Sequence, residues 1–200
     1  MDKFKGFENA SKAARATGSA KLPVGAYVCK IMKSEYVMNE TFNVIEVSFD
    51  VSEGEYKDFF SKQWKENTAE DKKWKGKVRI RCPKDDGSEQ DEWTKKSFAR
   101  WINAFEDSNK GYSWDWNESK WKGLTVGIMF GETGTRIEGK DIKYVEARAA
   151  CSAQDVRDGK APTEYFCKFK TRNGYGEEKK PLDEEWQNIP DVADGEELPF

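Results

Sequence analysis

One short segment of this chain alternates apolar residues with three cations, Lys77, Arg79 and Arg81. In a β-strand such alternation places the three charges on one face and the apolar side chains on the other. Cations repeated every two residues can follow the phosphates of a nucleic-acid backbone. The competing interpretation is that Glu46 and Asp50 of a neighbouring strand pair with these cations and leave one of them over.

Further basic and aromatic residues extend this candidate surface, because lysine and arginine neutralise phosphates and aromatic rings stack on bases. Some lead into the basic segment, and others lie near the ends of predicted strands. Trp114, Trp116 and Trp121 lie among Ser, Asp, Asn, Lys and Gly, where a ring can stack on a base or cap a core. Beside the three cations, the candidate contacts are Lys33, Tyr36, Trp74, Lys75, Trp121, Arg136, Lys140 and Lys143.

The end of the chain differs in charge from the rest. Residues 183–200 contain seven acids and no Lys or Arg, whereas the whole chain has a net charge of -3, so residues 1–182 have a net charge of +4. Pro199 disfavours a helix here. The terminal ring and carboxylate suit an apolar pocket rimmed by Lys or Arg. The residues expected to bind a partner are Asp194, Glu196, Glu197, Leu198, Pro199 and Phe200.

These last residues resemble the C-terminal tip of the single-stranded DNA-binding proteins of bacteria and their phages, in which acids precede an apolar residue, Pro and Phe. The match runs from Glu196 to Phe200, and it differs from the usual pattern in Leu198 and in the interrupting Gly195. The resemblance implies that the tip docks onto replication, recombination and repair proteins. It also implies that the tip competes with DNA for the protein's own binding groove.

Hydrophobic alternation predicts the elements that must position these residues. Five strands are predicted at 24–33, 42–51, 77–82, 123–131 and 141–151, with turns at 39–40, 83–88 and 131–140. A helix is predicted over 91–107, because Phe98, Trp101, Ile102 and Phe105 form one apolar stripe. Residues 53–68 are predicted to form an inserted helix or ordered loop, and residues 9–16 a short helix or part of a mobile arm.

The order of these elements is that of an OB-fold, a small Greek-key barrel with a helix between strands three and four. We therefore predict a mainly β, five-stranded OB-fold-like barrel; an open sheet with one packed helix is the alternative. The predicted domains are an N-terminal arm (1–21), the barrel (22–154) and a linker with a flexible acidic tail (155–200). OB-folds bind oligonucleotides across strands two and three and at two loops, where most of the candidate contacts fall.

The composition argues against several kinds of chemistry. The chain has no His, and its four Cys lack Cys-x-x-Cys spacing, so neither a zinc site nor an imidazole base is expected. No metal, cofactor or enzymatic activity is expected, although Glu-x-Lys at 70–72 and 138–140 leaves a Mg-dependent nuclease as a weak alternative. No stretch is apolar enough to span a membrane, and a reducing cytoplasm is the expected location.

Together these patterns predict a sequence-independent single-stranded DNA-binding protein of phage DNA replication or recombination. Its expected partners are single-stranded DNA and, through the tip, replication or recombination proteins; a homo-oligomer is left open. The alternative is a non-enzymatic protein–protein adaptor of a phage recombination system.

Overall fold

Five antiparallel strands form one sheet in the computed structural model, which describes residues 21–38, 42–68, 72–137 and 140–166. The strand order is β3-β2-β1-β4-β5. Each of the five predicted strands is therefore present. The strands are β1 (Gly25–Val37), β2 (Val44–Val51), β3 (Lys77–Arg81), β4 (Thr125–Ile137) and β5 (Lys140–Cys151).

Few helices accompany the sheet within the described ranges. They are α1 (Phe59–Glu66), α2 (Glu89–Ser108) and α3 (Ala153–Arg157), with 3₁₀ turns η1 (Glu118–Trp121) and η2 (Thr163–Phe166). The predicted helix between strands three and four is confirmed by α2, and its predicted apolar stripe is buried. Ser88 caps α2, since its side chain accepts a hydrogen bond from the backbone N–H of Asp91.

The sheet does not close into a barrel. Among the described residues, β3 and β5 are the two edge strands and do not pair with each other, although their Cα atoms approach within 8 Å. The strand β3 is only five residues long, which leaves little backbone for a closing ladder. The predicted closed barrel is therefore replaced by an open five-stranded sheet, which is the alternative that the element order allowed.

The core lies between one face of the sheet and α2. Alternating residues of β2 and β4 point into it, as predicted; Ile45, Val47, Val126 and Ile128 are each at most 3% exposed. Burying a side chain of this kind contributes about 1.5–3 kcal/mol. The loop after α2 completes the core with Trp121, which is fully buried.

The first helix is capped from a distance. Asp58 occupies the N-cap position with φ of 59° and makes no capping hydrogen bond. Instead, the buried carboxylate of Asp50 on β2 accepts hydrogen bonds from the backbone N–H groups of Phe60 and Ser61, each at 2.9 Å, and from that of Val51. The negative charge at this helix N-terminus satisfies donors that have no partner within the helix.

The fourth and fifth strands are longer than the sequence predicted. The Gly-rich segment 131–140 was expected to be a turn, but β4 continues through Ile137 and β5 begins at Lys140. Gly131 and Gly134 keep strand geometry because they are paired with Glu146 and Lys143 of β5. Glycine therefore marks a hairpin arm here, since cross-strand pairing overrides its weak strand propensity.

The chain beyond Gln154 was predicted to be linker, and as far as residue 166 it packs on the sheet. Val156, Ala161 and Tyr165 contact a small apolar cluster around Met129 on the face opposite the core. The helix α3 lies so close to β4 that a Cβ on Gly127 would be 2.6 Å from Val156.

Several predictions fall outside the described residues. These are the N-terminal arm through residue 20 with its candidate helix, the turn at 39–40, residues 138 and 139, and the acidic tip of the chain.

Asp50→Asn should destabilise the protein by about 1–3 kcal/mol, because an amide accepts fewer of the three backbone N–H groups and carries no charge. Urea unfolding monitored by circular dichroism measures this loss. Asp58→Asn is the matched control and should be neutral, since Asp58 makes no cap bond. Equal effects of the two substitutions would show that Asp50 does not cap α1.

Candidate nucleic-acid interface

The face of β1, β2 and β3 opposite the core, here called the outer face, gathers most of the predicted cations. Lys77, Arg79 and Arg81 lie on it because Val78 and Ile80 between them point into the core. Three rows of registered residues cross the outer face: Lys33, Ser48 and Lys77; Glu35, Glu46 and Arg79; Val37, Val44 and Arg81.

A β-bulge brings Lys33 to the outer face. Ile31 is registered with Phe49 and points into the core, and the register then shifts so that Lys33 is registered with Ser48. In an unbroken strand Lys33 would share the face of Ile31, because side chains alternate. The extra residue, Met32, redirects the chain, which is a known use of β-bulges. Lys33 and Lys77 thus lie on either side of Ser48.

Arg79 is partly neutralised by a neighbouring strand. Its guanidinium bonds to Glu46 at 2.8 Å through both Nε and Nη2, and its side chain is 74% exposed. The cross-strand pairing that was the competing interpretation of the basic segment is therefore present at this position. An exposed pair of this kind contributes only about 0–1 kcal/mol, so a phosphate can replace the carboxylate at little cost.

The second acid expected to pair with the basic segment does not do so. Asp50 is buried and its carboxylate is bound to backbone N–H groups at α1. Lys77 is exposed, and the described residues provide no carboxylate within ion-pair distance of it. The guanidinium of Arg81 lies over the ring of Phe42, 4.5 Å from its centroid. Among the described residues of the outer face, cations therefore outnumber exposed carboxylates.

Two carboxylates face each other in the middle row. Glu35 and Glu46 are registered across β1 and β2, and like charges directly opposite are destabilising. Each is balanced by a cation, Lys33 for Glu35 and Arg79 for Glu46. The hydrogen bond from Lys33, aided by its charge, holds the pKa of Glu35 below its usual value. The row is thus a mixed-charge strip between two rows that carry cations.

The predicted aromatic contacts are separated from the outer face. Tyr36 is 43% exposed but registered with the core residue Ile45. Trp74 donates its indole N–H to the backbone oxygens of Phe49 and Gly76 and packs against the core. Trp121 is fully buried, so its ring caps the core and offers no face to a base.

Two further exposed lysines lie on or near the outer face. Lys75, next to β3, is exposed. Lys30 was not predicted as a contact, yet it is exposed and its place in β1, between the core residues Cys29 and Ile31, puts it on the outer face. The alternation of the first strand already placed Lys30 on the face opposite the core, and this was the signal that could have found it.

The remaining predicted cations belong to the β4–β5 hairpin. Beyond Phe130, β4 pairs with β5 and no longer with β1. Lys143 is exposed on this arm and registered with Gly134, on the face that Val145 and Ala147 share with the core. The backbones of Arg136 and Lys140 lie nearer its tip; their side chains fall outside what the structure describes.

The three cysteines that the structure describes are poorly suited to nucleophilic chemistry. Cys29, Cys82 and Cys151 are free thiols, and burial raises the pKa of Cys82 and of Cys151 to about 11. Burial, aided by the charge of Asp50, also raises the pKa of Cys29. These thiols are protonated at neutral pH, and the thiolate is the reactive form.

No group of three metal-binding side chains (His, Cys, Asp or Glu) is brought together within the described ranges. Of the two Glu-x-Lys tripeptides, residues 70, 71, 138 and 139 fall outside those ranges. None of the helices that the structure describes is both long enough and apolar enough to cross a bilayer.

No protein-family model matches this chain, and no curated protein shows significant sequence similarity to it. Its class is therefore defined by the fold alone: over the part of the chain that the structure describes, it is mainly β, with one five-stranded antiparallel sheet and few helices.

The free energy of unfolding should fall as pH rises from 8 to 10. In that range Cys82 and Cys151 ionise in the unfolded chain but stay protonated in the folded one, so unfolding releases protons and is favoured by alkali. Urea unfolding at pH 8, 9 and 10 measures the slope. Replacing both cysteines by Ala should make the slope shallower, and an unchanged slope would contradict the buried placement of these thiols.

Proposed function

We propose that this chain binds single-stranded DNA irrespective of sequence, with the phosphates following the outer face, and that it acts in phage DNA replication or recombination. The observation that carries the proposal is the placement of Lys33 and Lys77 on either side of Ser48, with Arg79 and Arg81 on the same face. Cations at regular spacing on a flat strand surface suit a flexible polyanion.

The strand order supports an OB-fold-like arrangement. An order of β3-β2-β1-β4-β5, with α2 between β3 and β4, is compatible with a five-stranded Greek-key barrel left open between β3 and β5. OB-folds are often only partly closed, and they bind oligonucleotides on the face of strands two and three and at the loop between strands four and five. The outer face and the β4–β5 hairpin correspond to those two regions.

The energetics favour a single strand over a duplex. The body of the chain has a modest net charge of +4, and the ion pairs of Lys33 and Arg79 reduce the charge of the outer face further. Charge alone then gives weak binding, which must be supplemented by base stacking at about 1–3 kcal/mol per base. Stacking on a side chain requires unpaired bases, which a duplex does not offer.

The acidic tip supplies the second half of the proposal. Residues Glu196 to Phe200 match the tip of single-stranded DNA-binding proteins, and an attached acidic segment has a high effective concentration for a basic surface of the same molecule. The tip would recruit a replication or recombination protein. While no such partner is bound, the tip would compete with DNA and weaken DNA binding.

A non-enzymatic adaptor is the second candidate function. The observation that favours it is the partial neutralisation of the outer face by Glu35 and Glu46, since mixed charges are typical of the rim of a protein interface. Such an adaptor would not respond to oligonucleotide. No observation on the described residues favours a nuclease.

Titration with oligo-dT should quench the intrinsic Trp fluorescence of the protein, and the affinity should fall as salt rises, whereas a duplex of equal length should have little effect. Replacing both Lys33 and Lys77 by Ala should weaken binding and reduce the slope of log affinity against log salt by about 1.4, since each phosphate contact on a single strand contributes about 0.7.

The matched control is Lys57→Ala with Lys110→Ala, which removes the same charge from two exposed lysines outside the outer face. Equal losses in the two double variants would place the DNA elsewhere on the molecule. A wild-type protein that ignores oligo-dT at low salt would contradict DNA binding and favour the adaptor.

Deleting residues 191–200 should tighten binding to oligo-dT at low salt, because it removes the acids that compete for the basic surface. The gain should shrink as salt screens the tail. A variant with Leu198, Pro199 and Phe200 replaced by Gly keeps the acids and should bind as the wild type does. Unchanged or weaker binding after deletion would refute competition by the tail.

A further inference from the structure

The loop between α2 and β4 exposes one tryptophan in an unfavourable backbone conformation. Trp116 is 81% exposed, and its φ of 63° lies in the left-handed region that bulky side chains rarely adopt. Neither property adds stability: the ring buries little surface, and the backbone is strained. Strain that the fold does not need is typical of residues kept for a function.

A series of contacting aromatic rings connects Trp116 to the core. Phe105 in the core stacks on Trp121 with ring centroids 4.5 Å apart, Trp121 contacts Trp114 at 5.1 Å, and Trp114 contacts Trp116 at 6.0 Å. The series begins at a fully buried ring and ends at an exposed one. The ring of Trp116 therefore contacts the protein through Trp114 and leaves most of its surface accessible, as stacking on a base requires.

This loop is anchored on β1, on the face opposite the outer face. The hydroxyl of Ser34 donates a hydrogen bond of 2.7 Å to the backbone oxygen of Glu118, two residues after Trp116. Ser34 follows Lys33 in β1, and successive side chains of a strand point to opposite faces. The loop thus lies on the other side of β1 from Lys33.

The loop borders the second half of β1. The pairing of β1 with β4 ends at Lys30, and from Lys33 onward β1 pairs only with β2 among the described residues. The end of the loop, and not a strand, lies along this edge, where the backbone N–H of Gly123 donates to the oxygen of Ile31. A single strand held by its phosphates on the outer face would cross this edge to reach Trp116.

We propose that Trp116 stacks on an unpaired base of the single strand whose phosphates contact the outer face. The proposal rests on the DNA-binding function proposed above, and it assigns to Trp116 the stacking role that the sequence left open between three tryptophans. Stacking on a flat ring needs no hydrogen bond to a base edge, which fits binding irrespective of sequence. The alternative occupant, an apolar side chain of a partner protein, is an outcome of the test.

The test compares Trp116→Ala with Trp93→Ala, which removes a second exposed tryptophan, 56% exposed, from the surface of α2. Fluorescence anisotropy of a dye-labelled oligo-dT reports binding without relying on tryptophan emission. Trp116→Ala should weaken binding by about fivefold or more, with the salt dependence unchanged because no charge is lost. Trp93→Ala should bind as the wild type does.

An abasic oligonucleotide separates stacking from other effects. On a strand without bases, Trp116→Ala and the wild type should bind equally, because the ring has nothing to stack on. A loss that persists on the abasic strand, or equal affinities on oligo-dT, would overturn the stacking role and favour a protein partner for Trp116. A wild-type protein that binds no oligo-dT would instead refute the DNA-binding function, and the stacking role with it.

Trp116→Gly distinguishes a binding role from a structural one. Glycine adopts a φ of 63° without strain, so the variant should unfold at the same temperature as the wild type or higher while binding oligo-dT more weakly. Parallel losses of thermal stability and affinity would show that Trp116 supports the fold and would overturn the proposal.

Discussion

The structure depends on the register of β1, the central strand. Gly25 to Lys30 pair with β4, Cys29 onward pairs with β2, and after the bulge at Met32 the strand pairs with β2 alone among the described residues. The register is fixed by burial, because a slip by one residue would move every core side chain to the opposite face. The bulge then breaks the alternation once, and this break brings Lys33 to the outer face while Ile31 stays in the core.

The sheet face opposite the core has one part that is covered by other elements and one part that is exposed to solvent. Over β4 and β5 this face is apolar and is covered by α3 and the following 3₁₀ turn. Over β2, β3 and the second half of β1 it carries Lys33, Lys77 and Arg79, which are exposed. Arg157 of α3 also makes a bidentate contact with Glu53, which follows β2. One half of this sheet face is therefore covered by the chain itself, and the half that carries the cations leaves room for a ligand.

Much of the fold could be predicted from the sequence. Strands with one buried face show alternating apolar and polar residues, and α2 shows one apolar stripe. The features that the sequence did not predict correctly depend on contacts between residues far apart in the chain. The side chain of Asp50 was expected to face solvent with Glu46, but it turns to the N-terminus of a helix that begins nine residues later. The bulge before Lys33 has no local signature. Trp114, Trp116 and Trp121 have similar polar neighbours, so only the packing of α2 separates the buried ring from the exposed one.

The close approach around Gly76 limits how this sequence can vary during evolution. A Cβ at that position would lie 2.3 Å from the backbone oxygen of Phe49 and 2.8 Å from the ring of Phe60, and the indole of Trp74 is bonded to the oxygen of Gly76 itself. Any side chain there would push β3 away from the core and disturb the register of its cations. Distant relatives that keep this architecture should therefore retain glycine immediately before β3 even where overall similarity has been lost, which makes the position a marker for recognising them.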